Sequence, residues 1–170
     1  MPLFLLAVGV PLHAEISKEY QVKAAFVYNF TKFVEWPPGH FGDDQRPIVI
    51  AVLGKNPFGD ELEKILRGRK VAGRDLAVKI LESPESADSA DVLFVCDGEE
   101  KHLGALWPRL LAAGVLTTGE SADFGERGMI TFLLEGEKVR FEVNLVPVEQ
   151  ARLKLSAQLL KLATIVRCAR

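Results

Sequence analysis

EYQVKAAFVYNFTKFVEWPP, residues 19–38, carries six of the chain's fourteen aromatic side chains, Tyr20, Phe26, Tyr28, Phe30, Phe33 and Trp36, and no glycine. The spacing predicts a first helix. At about 100° per residue, Val22, Ala25, Phe26, Asn29, Phe30, Phe33 and Trp36 share one broad face, with Lys23, Thr31 and Glu35 turned away from it. Pro37 and Pro38 end the helix, because a proline disfavours helical geometry in the residue before it. Each large apolar side chain on that face contributes about 1.5–3 kcal/mol if fully buried, so the helix is expected to be a principal core element. Tyr20, Val27, Tyr28 and Val34 flank the stripe and widen it beyond the roughly 100° that a surface helix needs. Two arrangements satisfy such a helix: it is sandwiched inside the domain, or one flank, with Tyr28, Phe33 and Trp36, is offered to a partner.

A chain of 170 residues that is 48% apolar and 26% charged has the material for one globular domain. Its formal charge of −2 gives no general attraction to phosphate backbones or acidic membranes. The opening MPLFLLAVGVPLHAE reads as a signal peptide over residues 1–14, with an apolar run at residues 3–10 and a cleavage site at Leu12-His13-Ala14, although the first basic residue is Lys18. The run falls short of the roughly 20 apolar residues that span a bilayer. Residues 15–170 are then one exported domain, and Cys96 and Cys168 meet an oxidising compartment, where they either pair or stay as free thiols.

Downstream, residues 48–53 (IVIAVL) and 91–96 (DVLFVC) are apolar runs of the kind that suits strands covered on both faces. A second strand is expected at 76–81 and a short fourth at 115–118. Residues 62–66 and 103–113 show helical spacing, with Pro108 either kinking the second of these or starting a new helix. Residues 129–134 and 138–144 flank Glu135-Gly136-Glu137 as a hairpin, and a long helix is expected from about Val148, its apolar face running through Ala151, Leu155, Leu159 and Leu162. The fold class is α/β: three layers, a mostly parallel sheet with an antiparallel hairpin at its edge, and helices on both faces, in a Rossmann-like arrangement.

Catalytic patterns are missing. GKNPFG after the first strand matches neither a Walker loop nor GxGxxG, no serine sits in GxSxG, and His40 and His102 stand apart from any metal-binding spacing. No cofactor is expected. Asn29 on the aromatic face and Ser156 in the last helix need hydrogen-bond partners if buried. Either they fix helix packing, or Asn29, Phe33 and Trp36 line a small ligand pocket, a few polar groups among aromatics being what such sites contain.

The run from Val22-Lys23-Ala24-Ala25-Phe26 through Phe30-Thr31-Lys32-Phe33-Val34-Glu35-Trp36-Pro37 resembles the opening of the YfiR family of small periplasmic proteins. Leu53-Gly54 with Asn56-Pro57-Phe58-Gly59, Gly128-Met129-Ile130, Arg140-Phe141-Glu142-Val143-Asn144-Leu145, and residues 155–163 resemble it too, in the same order. The resemblance implies a non-enzymatic periplasmic regulator that binds the sensor domain of an inner-membrane diguanylate cyclase and represses it, lowering cyclic-di-GMP and restraining biofilm formation. It also implies a homodimer. The family member known for redox regulation is richer in cysteine, so no disulfide switch carries over to Cys96 and Cys168. A different class of function, a small-molecule-binding module that reports to another membrane sensor such as a histidine kinase, shares the fold and the compartment.

Overall fold

The structure is a computed structural model and describes residues 17–42 and 45–168, so the expected leader at residues 1–14 lies outside the described residues. In chain order the elements are α1 (Lys18–Phe33), β1 (Val34–Glu35), β2 (Ile48–Leu53), α2 (Glu61–Leu66), β3 (Lys70–Val71), β4 (Arg74–Leu81), a 3-10 segment (Pro84–Ser89) and β5 (Val92–Val95). A second 3-10 segment (Glu100–Leu106) runs into α3 (Trp107–Ala112), followed by β6 (Leu116–Gly119), α4 (Ala122–Gly125), β7 (Ile130–Glu135) and β8 (Lys138–Asn144). The chain closes with α5 (Leu145–Gln150), β9 (Lys154–Leu155), α6 (Ala157–Leu160) and β10 (Thr164–Val166).

One eight-stranded sheet runs β10-β8-β7-β6-β5-β2-β4-β3, and β1 pairs with β9 in a separate two-stranded ladder. From β4 to β7 every neighbouring pair is parallel, while β7 and β8 form the expected antiparallel hairpin. The order β4-β2-β5-β6-β7 is that of a doubly wound sheet whose winding reverses between β2 and β5. Every residue of β2 and β5 is buried, as their unbroken apolar sequence requires. On one face α1 and α2 pack against Ile50, Val52, Phe94, Phe132 and Phe141. On the other, the 3-10 segments, α3 and α4 enclose Leu53, Leu93, Val95, Leu103 and Phe124. The expected three-layer α/β architecture is therefore present.

Three local expectations are corrected. α1 stops at Phe33, because Val34 is already extended (φ −98, ψ 137) and pairs with Leu155 across the β1–β9 ladder, so Trp36 is not on the helix. The long terminal helix does not form: Arg152 adopts φ 58, Ser156 caps a separate short helix through Leu159 N–H, and Thr164–Val166 adds to β8 as a parallel strand. Leucine spacing suited a helix, but burial is met by pieces facing α1 and the sheet in turn. The addition of β10 also moves the hairpin one strand in from the edge. Pro108 starts α3 rather than kinking a continuous helix.

The amino ends of the strands are tied by one carboxylate. Asp91 is 1% exposed and accepts from His40 Nε2 (2.7 Å), Arg46 (2.8 and 2.9 Å) and the Val49 N–H (2.8 Å). Its own N–H bonds Val49 C=O, and its C=O accepts from Leu116 N–H, so β2, β5 and β6 meet at this residue. The loop after α1 closes over it, with Trp36 stacked on His40 and its Nε1 donating to Gly114 C=O at 3.1 Å. Burial alone raises the carboxyl's pKa and is the largest single influence, but the donors from His40, Arg46 and Val49 together outweigh it and hold the group at about 2, against 3.8 unfolded.

A group with a depressed folded pKa contributes its stability above the unfolded value and loses it as pH falls through the folded one. Urea-unfolding free energy should therefore drop by about 2 kcal/mol between pH 4 and pH 2 in the native chain. Asp91→Asn should lose about 3 kcal/mol at neutral pH and lack that acid step. An acid step of equal size in the variant would show that another group carries it.

Candidate functional site

The buried side of α1 consists of Lys23, Ala24, Val27, Phe30 and Thr31. This is not the face that aromatic spacing picks out. Lys23 and Thr31, expected to point to water, point inward; of the expected core stripe, Phe30 is fully buried, Phe26, Asn29 and Phe33 are partly buried with Phe26 packed on Phe132 and Phe141, and Val22 and Ala25 face outward. Small side chains explain part of the rotation, since Ala24 and Thr31 let the helix approach the sheet while Phe30 fills the centre against Phe132 (5.6 Å) and Phe141 (5.3 Å). Thr31 satisfies its hydroxyl locally by donating to Tyr28 C=O at 2.6 Å.

Lys23 explains the rest. It is 3% exposed and ion-paired to Glu19 and to Glu120, the latter at 2.6 Å, with its ammonium also over the rings of Tyr20 and Phe132. Glu120 also accepts from the Tyr20 hydroxyl at 3.1 Å. Burial, and then the Glu120 charge, raise the Tyr20 pKa, so the phenol remains protonated and a donor. Glu120 directly follows β6, so these contacts latch the first turns of α1 onto the carboxyl ends of the strands.

Those carboxyl ends are where open α/β sheets bind ligands, in the crevice at which the winding reverses. Here the place is filled. Phe58, in the loop after β2, packs on Phe94 (4.7 Å) and Tyr20 (5.7 Å), and Glu99 lies across Gly54, where an added Cβ would meet its Cγ at 2.7 Å. The Cys96 thiol donates to Lys55 C=O at 3.5 Å. Burial first, then the Glu120 and Glu99 charges, push this thiol up to about 12, which leaves it protonated and a poor nucleophile. His102 is exposed on the following 3-10 segment.

The Cys96–Cys168 bridge is absent: both thiols are free, Cys96 buried and Cys168 exposed. Cys96 follows β5 at the carboxyl edge of the sheet. Cys168 follows β10, which runs with β8 and against β7, so it lies at the amino edge, where its backbone bonds the Asn144 side chain.

The sequence-expected pocket of Asn29, Phe33 and Trp36 is not assembled, because Trp36 leaves the helix for the amino-edge loop. Tyr28 is half-buried with Lys32 and Arg69 over its ring, and it points about 140° away from Phe33 around α1. Ser156 serves as a helix cap. What the rotation does assemble is a groove of about 650 Å³ between α1 and the hairpin tip, with Val22, Phe26, Leu134 and Val139 in its wall and Lys18, Glu137 and Arg140 at its rim. It adjoins a shallower hollow of about 400 Å³ along Gln21, Ala25 and Asn29. Val22 is 37% and Leu134 52% exposed, so two large aliphatic side chains meet water in one continuous apolar stripe. Asp91, Glu120 and Lys23 were not singled out from the sequence. The position of Asp91 at the head of an apolar strand was the only local signal for any of them.

Two outcomes are expected from these contacts. Glu120→Ala should destabilise the fold by about 3 kcal/mol in urea unfolding, whereas Lys23→Met combined with Glu120→Leu should recover most of that loss, since an apolar pair of similar volume needs no charge partner. No recovery in the double variant would mean that the pair does more than orient α1. Native alkylation should modify Cys168 alone and reach Cys96 only after unfolding. Fast labelling of both would contradict the buried, protonated Cys96.

Among solved structures, a conserved domain protein from Vibrio cholerae O1 biovar eltor is similar at TM-score 0.51 and 11% identity, covering 86% of this chain and 59% of that one. The ABC domain in complex with L-Trp from Streptococcus pneumoniae is similar at TM-score 0.50 and 11% identity, covering 87% and 62%. At this identity the likeness is one of α/β fold, and the chain spans less than two thirds of either structure. A sequence search of curated proteins returns no match. The family model DUF4154, YfiR/HmsC-like, matches residues 20–164, from the latch of α1 to the start of β10, and the chain belongs to that family.

Proposed function

We propose that this protein is a periplasmic regulator that binds the periplasmic sensor domain of an inner-membrane diguanylate cyclase and represses it, lowering cyclic-di-GMP and biofilm formation. The observation that carries this reading is the family match across residues 20–164. Among the described residues no helix is long and apolar enough to cross a membrane.

The partner seats on Val22 and Ala25 of α1, on the partly exposed edges of Phe26, Asn29 and Phe33 beside them, and on the hairpin tip at Leu134. This surface keeps Phe33 from the sequence-expected trio and places Tyr28 and Trp36 outside the contact. Repression is a population shift: the regulator prefers the inactive state of the cyclase, and a hundredfold preference corresponds to about 2.7 kcal/mol. A homodimer belongs to this proposal as the form that presents two such stripes. A second reading, a small-molecule-binding module reporting to another membrane sensor, is supported by a hollow of about 500 Å³ at the amino edge, walled by Trp107, Pro108, Leu111 and Pro147 with Arg127 beside it.

Val22→Glu and Ala25→Glu replace exposed side chains, so each should leave the melting temperature within about 2 °C of the parent. Each should also weaken binding to the cyclase's periplasmic domain by at least about tenfold and restore cyclase activity. Unchanged binding removes the stripe as the interface. If the parent chain binds no cyclase domain, the cyclase reading itself fails, and a metabolite co-purifying with it would favour the second one.

A further inference from the structure

β4 is eight residues long, yet β3 covers only its first two on the outer side, through Lys70↔Asp75 and Val71↔Arg74. On the inner side β2 pairs with all of residues 76–81. In a tight antiparallel turn the closing residue directs both backbone groups to its partner, and alternate residues follow it. Arg74 closes the β3–β4 turn, so Leu76, Val78 and Ile80 direct their N–H and C=O groups outward. The bond from Gly54 N–H to Leu81 C=O, at 3.0 Å on the β2 side, fits the same alternation. Among the described residues no backbone group bonds to that outer edge beyond Asp75.

The exposed stretch is apolar apart from one residue. Leu76, Ala77 and Val78 are half-buried, Ile80 is 46% exposed, and Lys79 carries the stretch's only charge. An apolar edge of this length is a template for another strand unless charge or cover blunts it. Lys79 enters no ion pair among the described residues. In a second copy of the chain the same stretch again offers only a lysine, so self-pairing gathers like charge. A strand bearing Asp or Glu beside Lys79 turns that cation into an attraction.

We propose that the outer edge of β4 accepts, as an added strand, an extended segment of a partner protein in which apolar residues alternate with Asp or Glu. Backbone bonds to Leu76, Val78 and Ile80 supply the affinity, and Lys79 selects the acidic sequence. This edge lies at the far end of the sheet from the hairpin groove and does not rest on the cyclase reading.

The probe is a blocked peptide of about six residues alternating valine and glutamate, compared with its valine–lysine counterpart and with an N-methylated form that cannot bond along one edge. Hydrogen exchange in the full chain should slow at Leu76, Val78 and Ile80 with the acidic peptide alone. Lys79→Glu, on an exposed side chain, should weaken that peptide about tenfold and shift preference to the basic one. Equal protection by acidic and basic peptides would overturn the proposal, as would none from either. Protection that rises with protein concentration and needs no peptide would assign the edge to a second copy and overturn it too.

Discussion

The ion pair between Lys23 and Glu120 sets the rotation of α1 about its axis, and the rest of the surface follows from it. A buried ammonium is costly unless it is paired, so the helix can seat Lys23 only where a carboxylate waits at the end of β6. Seating it there turns Ala24, Val27, Phe30 and Thr31 onto the sheet. Geometry then forces Val22 and Ala25 outward and leaves Phe26 at the border, against Phe132 and Phe141. An apolar stripe in water is thus the counterpart of a polar group in the core, and that stripe is what a binding protein of this fold can use.

The sheet's two ends have been given different tasks. At the amino edge, Asp91 joins β2, β5 and β6 and holds the loop that carries Trp36, His40 and Arg46. At the carboxyl edge, where related architectures keep a ligand crevice, Phe58, Tyr20 and Glu99 occupy the space. With the carboxyl end closed by side chains of the domain itself, exposed apolar and hydrogen-bonding capacity lies on the flanks: the α1 stripe with the hairpin tip, and the open side of β4. Those flanks are suited to protein partners, which read surfaces and strand edges more than enclosed pockets.

The α/β class, the buried strands and the hairpin were legible because they are written in local patterns. Residues 48–53 are apolar at every position and can only be a strand covered twice, and Glu135-Gly136-Glu137 sits between alternating runs. The family resemblance spread over the same stretches was legible as well. In the last third, leucines at helical spacing between residues 151 and 162 divide between the strand β9 and the short helix α6, with Leu153 and Leu162 in the connections beside them. Spacing records which residues want burial, and Arg152 at φ 58 shows the chain turning between burial sites instead of continuing along one axis. The candidate surface was half legible: the width of the aromatic stretch signalled a flank left over, but not which flank.

Sequence by itself therefore determined the layers, the parallel core and the excess of apolar side chains on α1, since hydrophobic periodicity and turn residues act within a few positions of themselves. Tertiary structure alone decided the rotation of α1, the closure of the carboxyl edge, the separation of Cys96 from Cys168 and the open side of β4. The rotation depends on Glu120 meeting Lys23, the closure on Phe58 meeting Tyr20, and the separation of the thiols on β10 pairing with β8. Hydrogen bonds and ion pairs between such distant residues leave no period in the sequence, and in a closely packed interior they decide which of several adequate faces is turned inward.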